Sequence, residues 1–270
     1  MTKKNNKQKI STELEIIITF FTSLILMPFR FALMLFGKEK FSRVMLPFTI
    51  LGNALTNAKF TFYMILANFL MFFISILFLL NHIDTLVLYP SDLINPVRWF
   101  AFLTHGFLHV NLTHLFGNIL ALFVFGRIVE KEIGPKKTSI VYFSALLFAG
   151  IFSATMNLIQ GSAAGGVGAS GAIMGLVSAA ILLAPFRITF AALIPLPIMV
   201  LGWLMIYVDI TGFFSGANTG IGYAAHIGGF LSAALLFFFL GKEKQRLMKG
   251  LIINTVTLIV FLGVYFLILK

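Results

Sequence analysis

The 270-residue chain contains no cysteine, which excludes disulfide bonds, thiol catalysis and cysteine metal sites. It is also poor in charge, because only 11% of its residues are charged, whereas soluble domains carry about 25%. Hydrophobic residues make up 59% of the chain, with a mean hydropathy of +1.00, and they come in long runs. These features exclude an ordinary soluble domain and predict an integral membrane protein.

The few charged residues are mostly basic, so that the formal net charge is +11. A charge of this size suggests nucleic acid as a partner, but the Lys and Arg residues lie in short blocks between apolar runs. Membrane topology and contact with anionic lipid headgroups account for such blocks. We therefore expect membrane lipids as partners, and no nucleic acid.

Seven apolar runs approach the roughly 20 residues that a membrane-spanning helix needs. They lie at about 60–81, 110–129, 138–159, 170–184, 190–208, 223–241 and 251–269. If the spans alternate in direction, nearly all the basic blocks between them fall on one side of the membrane. The positive-inside rule places that side, with the N-terminus, in the cytoplasm. The prediction is an all-α polytopic protein of a cell (plasma) membrane.

The chain divides by composition into three parts. Residues 1–59 form a basic N-terminal segment, 60–241 a six-span core, and 242–270 a cytoplasmic loop with the seventh helix. Within the first part, the stretch 14–36 is apolar enough to insert. Spanning would leave its Lys-rich start outside, against the charge rule, so we expect an interfacial amphipathic segment. A spanning helix is the alternative.

Two connections lie on the side opposite the basic blocks. Residues 82–109 form a long loop, and a loop of this length without obvious structure of its own is either functional or partly embedded. Residues 209–222, with the sequence DITGFFSGANTGIG, are rich in glycine. We expect this second connection to be a loop that is able to move.

Polar side chains within a membrane are costly and therefore tend to be paired and functional. His114 and Asn118 in the second predicted span are four residues apart, so that on a helix they share one face. Both side chains can donate hydrogen bonds. The alternative is a polar pair that holds two helices together.

A glycine-rich segment, AAGGVGASGAIMG, leads into the fourth predicted span. Within it, Ser170 lies between Gly168 and Gly171, where the loop becomes a helix. Glycine permits close approach of the backbone, and the start of a helix leaves N–H groups unpaired. Such donors stabilise a developing oxyanion, which suits a serine nucleophile. Helix packing through glycine is the alternative for this segment.

A lone intramembrane histidine, His226, lies near the start of the sixth predicted span. Gly229 follows on the same helix face, and small residues let two helix backbones come close. Such packing would bring the His226 imidazole to the Ser170 hydroxyl, which needs a base to become nucleophilic. No Asp or Glu is placed to orient this histidine, so the pattern favours a Ser–His dyad.

Three motifs occur in this order on the second, fourth and sixth spans: HGFLHVNLTHLFGN, GASG and AHIGG. Together, over about residues 60–241, they resemble the rhomboid family of intramembrane serine proteases. The resemblance implies a six-helix bundle, here with one extra C-terminal helix. It implies Ser170 as the nucleophile, His226 as the general base, and His114 with Asn118 as oxyanion donors.

The resemblance extends to supporting residues and to the substrate. His109 would be structural or close to the site, and Glu130 in GRIVEKEIG would be structural. The first outer loop would be partly embedded in the membrane, and the fifth span with the loop that follows it would gate substrate entry. The implied substrates are single-span transmembrane proteins, and no metal or organic cofactor is implied.

This sequence departs from the family pattern at three places. Met174 stands where the family often has an aromatic residue that packs on the catalytic histidine. Ala233 replaces the second glycine of a GxxxG pattern. Arg98 and Trp99 occur in the reverse of the family's order, so we transfer no role to them.

Other classes of protein compete with the protease. His105, His109 and His114 cluster in sequence and form the basis of a metal-site alternative, although no HExxH motif accompanies them. A catalytically impaired, rhomboid-like binding protein is the second alternative, supported mainly by Met174. A transporter is the least favoured, because charged residues are scarce within the spans and no repeated broken helices occur.

Overall fold

Long apolar runs form helices in this protein because a helix satisfies its own backbone N–H and C=O groups, which hydrocarbon cannot do. The computed structural model describes residue 19 and residues 22–79, 82–191, 194–216, 220–239 and 243–268. The chain separates into two units, residues 1–59 and residues 60–270.

The first unit contains α1 (Thr22–Leu35), α2 (Phe41–Val44) and α3 (Leu46–Thr56). α1 is apolar but shorter than the roughly 20 residues that cross a membrane. Residues 14–18, 20 and 21 of the stretch 14–36 lie outside the described part of the chain. Its interfacial position stays a prediction.

The second unit contains the remaining helices, which are α4 (Lys59–Phe78), α5 (Ala101–Thr104), α6 (Leu112–Ala121), α7 (Arg127–Ile159), α8 (Ser170–Leu183), α9 (Ile198–Ser215), α10 (Tyr223–Phe239) and α11 (Lys244–Ile268). A π-helical turn over Leu122–Gly126 joins α6 to α7. Several of these helices are long and apolar enough to cross a membrane: α4, the continuous α6–α7 run, α9 and most of α11. The prediction of a helical multi-pass membrane protein is confirmed.

The chain reverses direction within α7, at Gly134. This residue has a φ of 77°, a left-handed conformation that favours glycine, and Pro135 follows it. Side chains from both sides of the reversal reach the start of α4. Glu130 accepts a hydrogen bond from the Phe60 N–H at 2.9 Å, and the Tyr142 ring packs edge-on against the Phe60 ring. The two parts of α7 on either side of Gly134 therefore both lie next to the start of α4.

The predicted fifth span, 190–208, was wrong at its start. An antiparallel hairpin of β1 (Ile188–Ala191) and β2 (Ile194–Pro197) occupies this region, and the helix α9 begins only at Ile198. Hydropathy does not separate a short apolar strand from a helix. Here proline excludes a helix interior because it lacks an N–H and clashes with the preceding turn, and β2 contains two prolines, Pro195 and Pro197.

The predicted loop at 209–222 was also wrong at its start, because α9 extends further than the predicted fifth span. α9 continues to Ser215, so that Asp209 is part of the helix. Gly216 then ends the helix in a left-handed conformation, with a φ of 63°. The connection between α9 and α10 is therefore much shorter than predicted.

α8 is the central helix of the second unit, and every residue from Gly171 to Leu183 is buried. Glycines allow its neighbours to come this close. A Cβ atom at Gly229 of α10 would overlap the carbonyl oxygen of Gly171, and one at Gly175 would overlap the side chain of Ala145 in α7. The two faces of α8 thus pack by direct backbone approach, as small residues permit in membranes.

Gly229→Ala is therefore expected to destabilise the protein, because a backbone oxygen cannot turn aside as a flexible side chain can. We expect a loss of about 1–3 kcal/mol or more in the free energy of unfolding, from overpacking. Gly222→Ala is the matched control, because its Cβ would lie 3.7 Å from the Ala225 Cβ, an ordinary contact. Thermal unfolding in detergent measures both. An equally stable Gly229→Ala variant would contradict the close approach.

α11 packs against the end of α8 that is remote from Ser170. A Cβ atom at Gly250 would overlap the carbonyl oxygen of Leu182. The Asn254 side chain donates to the Ile181 carbonyl oxygen at 2.8 Å and accepts from Trp203 Nε1 of α9 at 3.0 Å. Asn254 thereby links α8, α9 and α11 through hydrogen bonds.

Charged side chains gather at the same end of the bundle, which we call the basic end. Arg246 pairs with Glu132 at 2.6 Å and with Glu243 at 3.2 Å, while Lys137 pairs with Glu243 at 3.1 Å. Arg187 lies 3.6 Å from Glu132. These ion pairs connect three of the basic blocks, which places the blocks on one side of the bundle.

Candidate active site

Ser170 is the first residue of α8 and is partly buried. The chain enters this helix through Gly168, whose φ of 121° is a conformation that side chains other than glycine's rarely adopt. The Gly168 N–H donates to the His105 carbonyl oxygen at 2.9 Å. The position of the serine is thus fixed by a glycine turn that is bonded to the preceding loop.

His114 and Asn118 lie on α6, where Asn111 caps the helix by accepting from the His114 N–H at 2.8 Å. The Asn118 side chain donates to the His114 carbonyl oxygen at 3.0 Å. A Cβ atom at Gly168 would lie 2.8 Å from His114 Nε2 and 3.9 Å from Asn118 Nδ2. The His114 imidazole therefore packs directly on the Gly168 backbone, two residues before Ser170, with the Asn118 amide nitrogen close by.

His226 lies in the first turn of α10, which crosses α8 close to Ser170. A Cβ atom at Gly171 would be 3.4 Å from the Ala225 carbonyl oxygen. Ser170 directly precedes Gly171 in the chain, and His226 directly follows Ala225. His226 is also near enough to His114 for the two imidazoles to interact electrostatically. The structure thus gathers Ser170, His226, His114 and Asn118 at one end of α8.

Asp209 is a residue of this site that the sequence analysis missed. Its Oδ1 lies 2.8 Å from Nδ1 of His226, and Asp209 is only 6% exposed. The expectation that no acidic residue is placed to orient His226 was therefore wrong. The predicted fifth span ended at residue 208, which placed Asp209 in a loop that was expected to move. A carboxylate in such a loop gave no reason to expect a fixed contact with His226. Correct helix bounds would have placed Asp209 on a face of α9.

His105 and His109 lie in the loop before α6 and are both buried. His105 Nδ1 lies 2.8 Å from the Ala101 carbonyl oxygen, and the His109 ring packs edge-on against His114 with centroids 5.0 Å apart. Among the described residues, no three His, Asp or Glu side chains gather in a way that would hold a metal ion. The histidine cluster thus offers no metal-ligand set within that part of the chain.

Burial lowers the pKa of His109 from 6.5 to about 4, with a further contribution from the nearby charge of His114. Burial likewise lowers the pKa of His105. Because the folded protein favours neutral His109 while the unfolded chain titrates near 6.5, this histidine contributes stability above pH 6.5. That contribution is lost as the pH falls from 6.5 towards about 4.

We therefore expect His109→Gln to lose less stability on acidification than the wild type, by on the order of 2–3 kcal/mol. Thermal unfolding in detergent at pH 7.5 and pH 4.5 provides the comparison. His82→Gln in the same loop is the matched control, because His82 is exposed. An acid-induced loss in His109→Gln that equals the wild-type loss would contradict a role for this imidazole.

Arg98 organises the outer loop, a role that we did not predict. Its guanidinium bonds to the Asp92 carboxylate, with Nε 3.1 Å from Oδ1, and to the carbonyl oxygens of Thr85 and Val87. The loop 82–109 shows no obvious structure in the sequence, but in the fold it is a series of short helical turns, several of which this cation holds together. Its signal in the sequence was an arginine and an aspartate close together in an apolar loop.

The same loop is joined to the segment that precedes Ser170. Leu88 and Gly166 exchange two backbone hydrogen bonds, the shorter of them 2.7 Å from the Gly166 nitrogen to the Leu88 oxygen. A Cβ atom at Gly165 would contact the side chains of Val87 and Tyr89. The outer loop therefore buttresses the glycine-rich approach to the serine.

Two supporting residues lie further from Ser170. Glu130 is buried and accepts three hydrogen bonds, from the backbone N–H groups of Phe60 and Thr61 and from the Thr61 hydroxyl. It thereby satisfies the unpaired donors at the start of α4. Met174 is buried in the core around α8, one helical turn beyond Ser170.

Comparison with known proteins places this arrangement in context. The family model described as "Rhomboid domain" matches residues 96–243. RHOMBOID-like protein 12, mitochondrial, of Arabidopsis thaliana is 29% identical over 164 residues, which are 55% of this chain and 48% of that protein. Rhomboid-like protein 11, chloroplastic, of the same plant is 28% identical over 67% of this chain and 65% of its own length.

A bacterial relative is matched over more of its length. Rhomboid protease AarA of Providencia stuartii is 29% identical over 216 residues, which are 70% of this chain and 76% of that protein. The chain thus spans about half to three quarters of the length of these relatives.

Proposed function

Because this chain belongs to the rhomboid family, we propose that it is an intramembrane serine endopeptidase in which Ser170 is the nucleophile and His226 the general base. The observation that carries the proposal is the gathering of a serine, a histidine and two further polar side chains at one end of a buried helix. Intramembrane polar groups are costly to bury, so their convergence points to a site of chemistry.

The proposed reaction has two stages. Nε2 of His226 accepts the Ser170 hydroxyl proton as the oxygen attacks the scissile carbonyl carbon, and the oxyanion that forms accepts hydrogen bonds. His226 then gives its proton to the leaving amine, and the C–N bond breaks to leave an acyl-enzyme. Water, deprotonated by His226, attacks this ester and releases the new carboxylate with Ser170 restored.

The polar groups of α6 supply the oxyanion donors in this proposal. His114 Nε2 and Asn118 Nδ2 both lie close to Gly168, and Ser170 begins a helix, where backbone N–H groups have no partner within the helix, so its N–H is the third proposed donor. Donors that are fixed before the reaction stabilise the charge without reorganisation. The π-helical turn after α6 and the cap at Asn111 hold this helix in place.

The dimensions of α8 support a site below the membrane surface. The helix runs from Ser170 to Leu183, which at 1.5 Å per residue is about 21 Å, whereas the hydrocarbon core is about 30 Å thick. With the basic end at the cytoplasmic surface, Ser170 would lie several ångströms beneath the outer one. We propose a cytoplasmic N-terminus on the same grounds.

The proposed substrates are single-span transmembrane proteins whose helices unwind near the Ser170 end, where a backbone carbonyl becomes accessible. We propose a plasma membrane as the location, since the basic loops fit its anionic cytoplasmic leaflet. Two of the relatives are named as mitochondrial and chloroplastic proteins, so immunolocalisation of this protein is the appropriate check.

A fluorophosphonate probe tests the proposed function directly. Purified wild-type protein is expected to form a covalent adduct that mass spectrometry locates at Ser170, because this reagent reacts with activated serines. Ser170→Ala and His226→Ala are expected to remain unlabelled. Folded wild-type protein without an adduct would instead favour a membrane binding protein on the same fold, the alternative that Met174 supports.

A further inference from the structure

The contact between α9 and α10 contains a carboxylate that the proposed mechanism does not use. Asp209 and His226 belong to different helices and are 17 residues apart in the chain, so their 2.8 Å contact is tertiary. Both side chains are largely removed from the surface, with side-chain exposures of 8% and 17%. A buried carboxylate is costly unless it is hydrogen-bonded, and the partner it has here is the proposed base.

We infer that Asp209 is a positioning residue that orients His226 and fixes which of its ring nitrogens carries the proton, so that the site is a Ser–His–Asp arrangement across α8, α10 and α9. This inference rests on the proposed function. The geometry differs from the dyad that the sequence suggested, in which His226 has no acidic partner.

The atom contacted determines the chemistry. A neutral imidazole has one N–H donor and one acceptor nitrogen. Because the carboxylate accepts from Nδ1–H, the acceptor of neutral His226 is Nε2, the nitrogen required to take the Ser170 proton. The same negative charge stabilises the imidazolium that forms during attack. Asp209 itself exchanges no proton in this scheme.

α9, which carries Asp209, makes a further contact with α10 close to the Asp209–His226 pair. One turn further along α9, a Cβ atom at Gly212 would overlap the Tyr223 ring at the start of α10. Asp209 and His226 therefore meet beside a second contact between α9 and α10. The orientation of the base depends on α9 staying against α10, so that a displacement of α9 would release His226 from its partner.

Steady-state kinetics of Asp209→Asn with a fluorogenic transmembrane substrate test the inference. An amide can donate to Nδ1 and thereby favour the wrong tautomer, so we expect kcat to fall by about 10²–10⁴-fold, following the precedent of serine proteases. KM is expected to change by less than about threefold, because the substrate-binding surface is retained. An unchanged kcat, with or without a raised KM, would overturn the inference.

Thr211→Val is the matched control on the same helix. Thr211 is exposed, and among the described residues its hydroxyl bonds to α9 itself, at 2.9 Å to the Tyr207 carbonyl oxygen and 3.1 Å to that of Val208. We expect wild-type kcat and KM for this variant. Thermal unfolding of both variants in detergent separates an effect on His226 from a general loss of the fold.

Nitrogen NMR of histidine-labelled protein reports the tautomer without any assay of activity. The chain has only five histidines, and His226→Ala identifies the resonances of the sixth-span imidazole. In the wild type we expect neutral His226 to carry its proton on Nδ1, and in Asp209→Asn we expect a shift towards Nε2. A wild-type His226 protonated on Nε2 would overturn the inference even if Asp209→Asn did not fold.

The outcomes separate this inference from the proposed function. Wild-type protein that reacts with fluorophosphonate, together with an Asp209→Asn variant of full kcat, would overturn the role of Asp209 alone. Wild-type protein that does not react would overturn the proposed function, and the positioning role with it.

Discussion

Ser170→Ala is expected to reduce cleavage of a transmembrane substrate to the background rate, a fall on the order of 10⁶-fold in kcat by the precedent of subtilisin. The Ser170 hydroxyl oxygen is the atom that forms the acyl-enzyme in the proposed mechanism, and alanine at the start of α8 has no such atom. Alanine is a good helix former, and the position is only partly buried. The fold should therefore persist.

The measurement compares cleavage in proteoliposomes with thermal unfolding of the same preparations. Ser178→Ala is the matched control, because Ser178 lies two turns further along α8 and is 1% exposed. It is expected to retain cleavage. Residual cleavage by Ser170→Ala above that of empty liposomes would show that another group is the nucleophile.

Asn118→Ala is expected to lower kcat by about 10²–10³-fold, the effect of removing one donor from an oxyanion hole. The amide nitrogen of Asn118 would lie 3.9 Å from a Cβ atom at Gly168, and the residue is 7% exposed. Since its bond to the His114 carbonyl oxygen is local to one helix, we expect a small change in the melting temperature. KM should change little, because the donor acts mainly on the charge that develops during attack.

Asn157→Ala is a suitable control for this prediction. Asn157 lies at the Ser170 end of α7, where its amide donates to the Ala164 carbonyl oxygen at 3.2 Å in an exposed position. It is expected to keep the wild-type kcat. An Asn118→Ala variant with normal kcat would remove this side chain from the oxyanion site and leave His114 with the Ser170 N–H as donors.

The helices of the second unit were largely predictable because apolar length is a direct physical requirement of crossing a bilayer. The start of α8 followed from glycine before Ser170, and that of α10 from the small residues around His226. The β1–β2 hairpin was not predictable from hydropathy, because its residues are as apolar as those of a span. Only the prolines in β2 gave a sign of it.

Within the candidate site, the three sequence motifs indicated that Ser170, His226 and the polar residues of α6 lie near one another. They did not indicate the contacts that orient these side chains. His114 and Asn118 share a helix, so their common face followed from spacing alone. Asp209 belongs to a separate helix whose bounds were misplaced, and no local pattern connects it with His226. The role of Arg98 was only partly indicated, by Asp92 nearby in the sequence, since its other partners are backbone carbonyl oxygens that carry no sequence signal.

The contact of α11 with α8 affects how this protein can be shortened. Carbonyl groups in the last turn of a helix have no partner within it, and hydrocarbon offers none. Asn254 supplies a donor to one of them, that of Ile181, and the bare backbone at Gly250 covers that of Leu182. A fragment that ends before Lys244 would leave these two carbonyl oxygens without their cover, so water or lipid headgroups at the cytoplasmic surface would have to supply the missing donors.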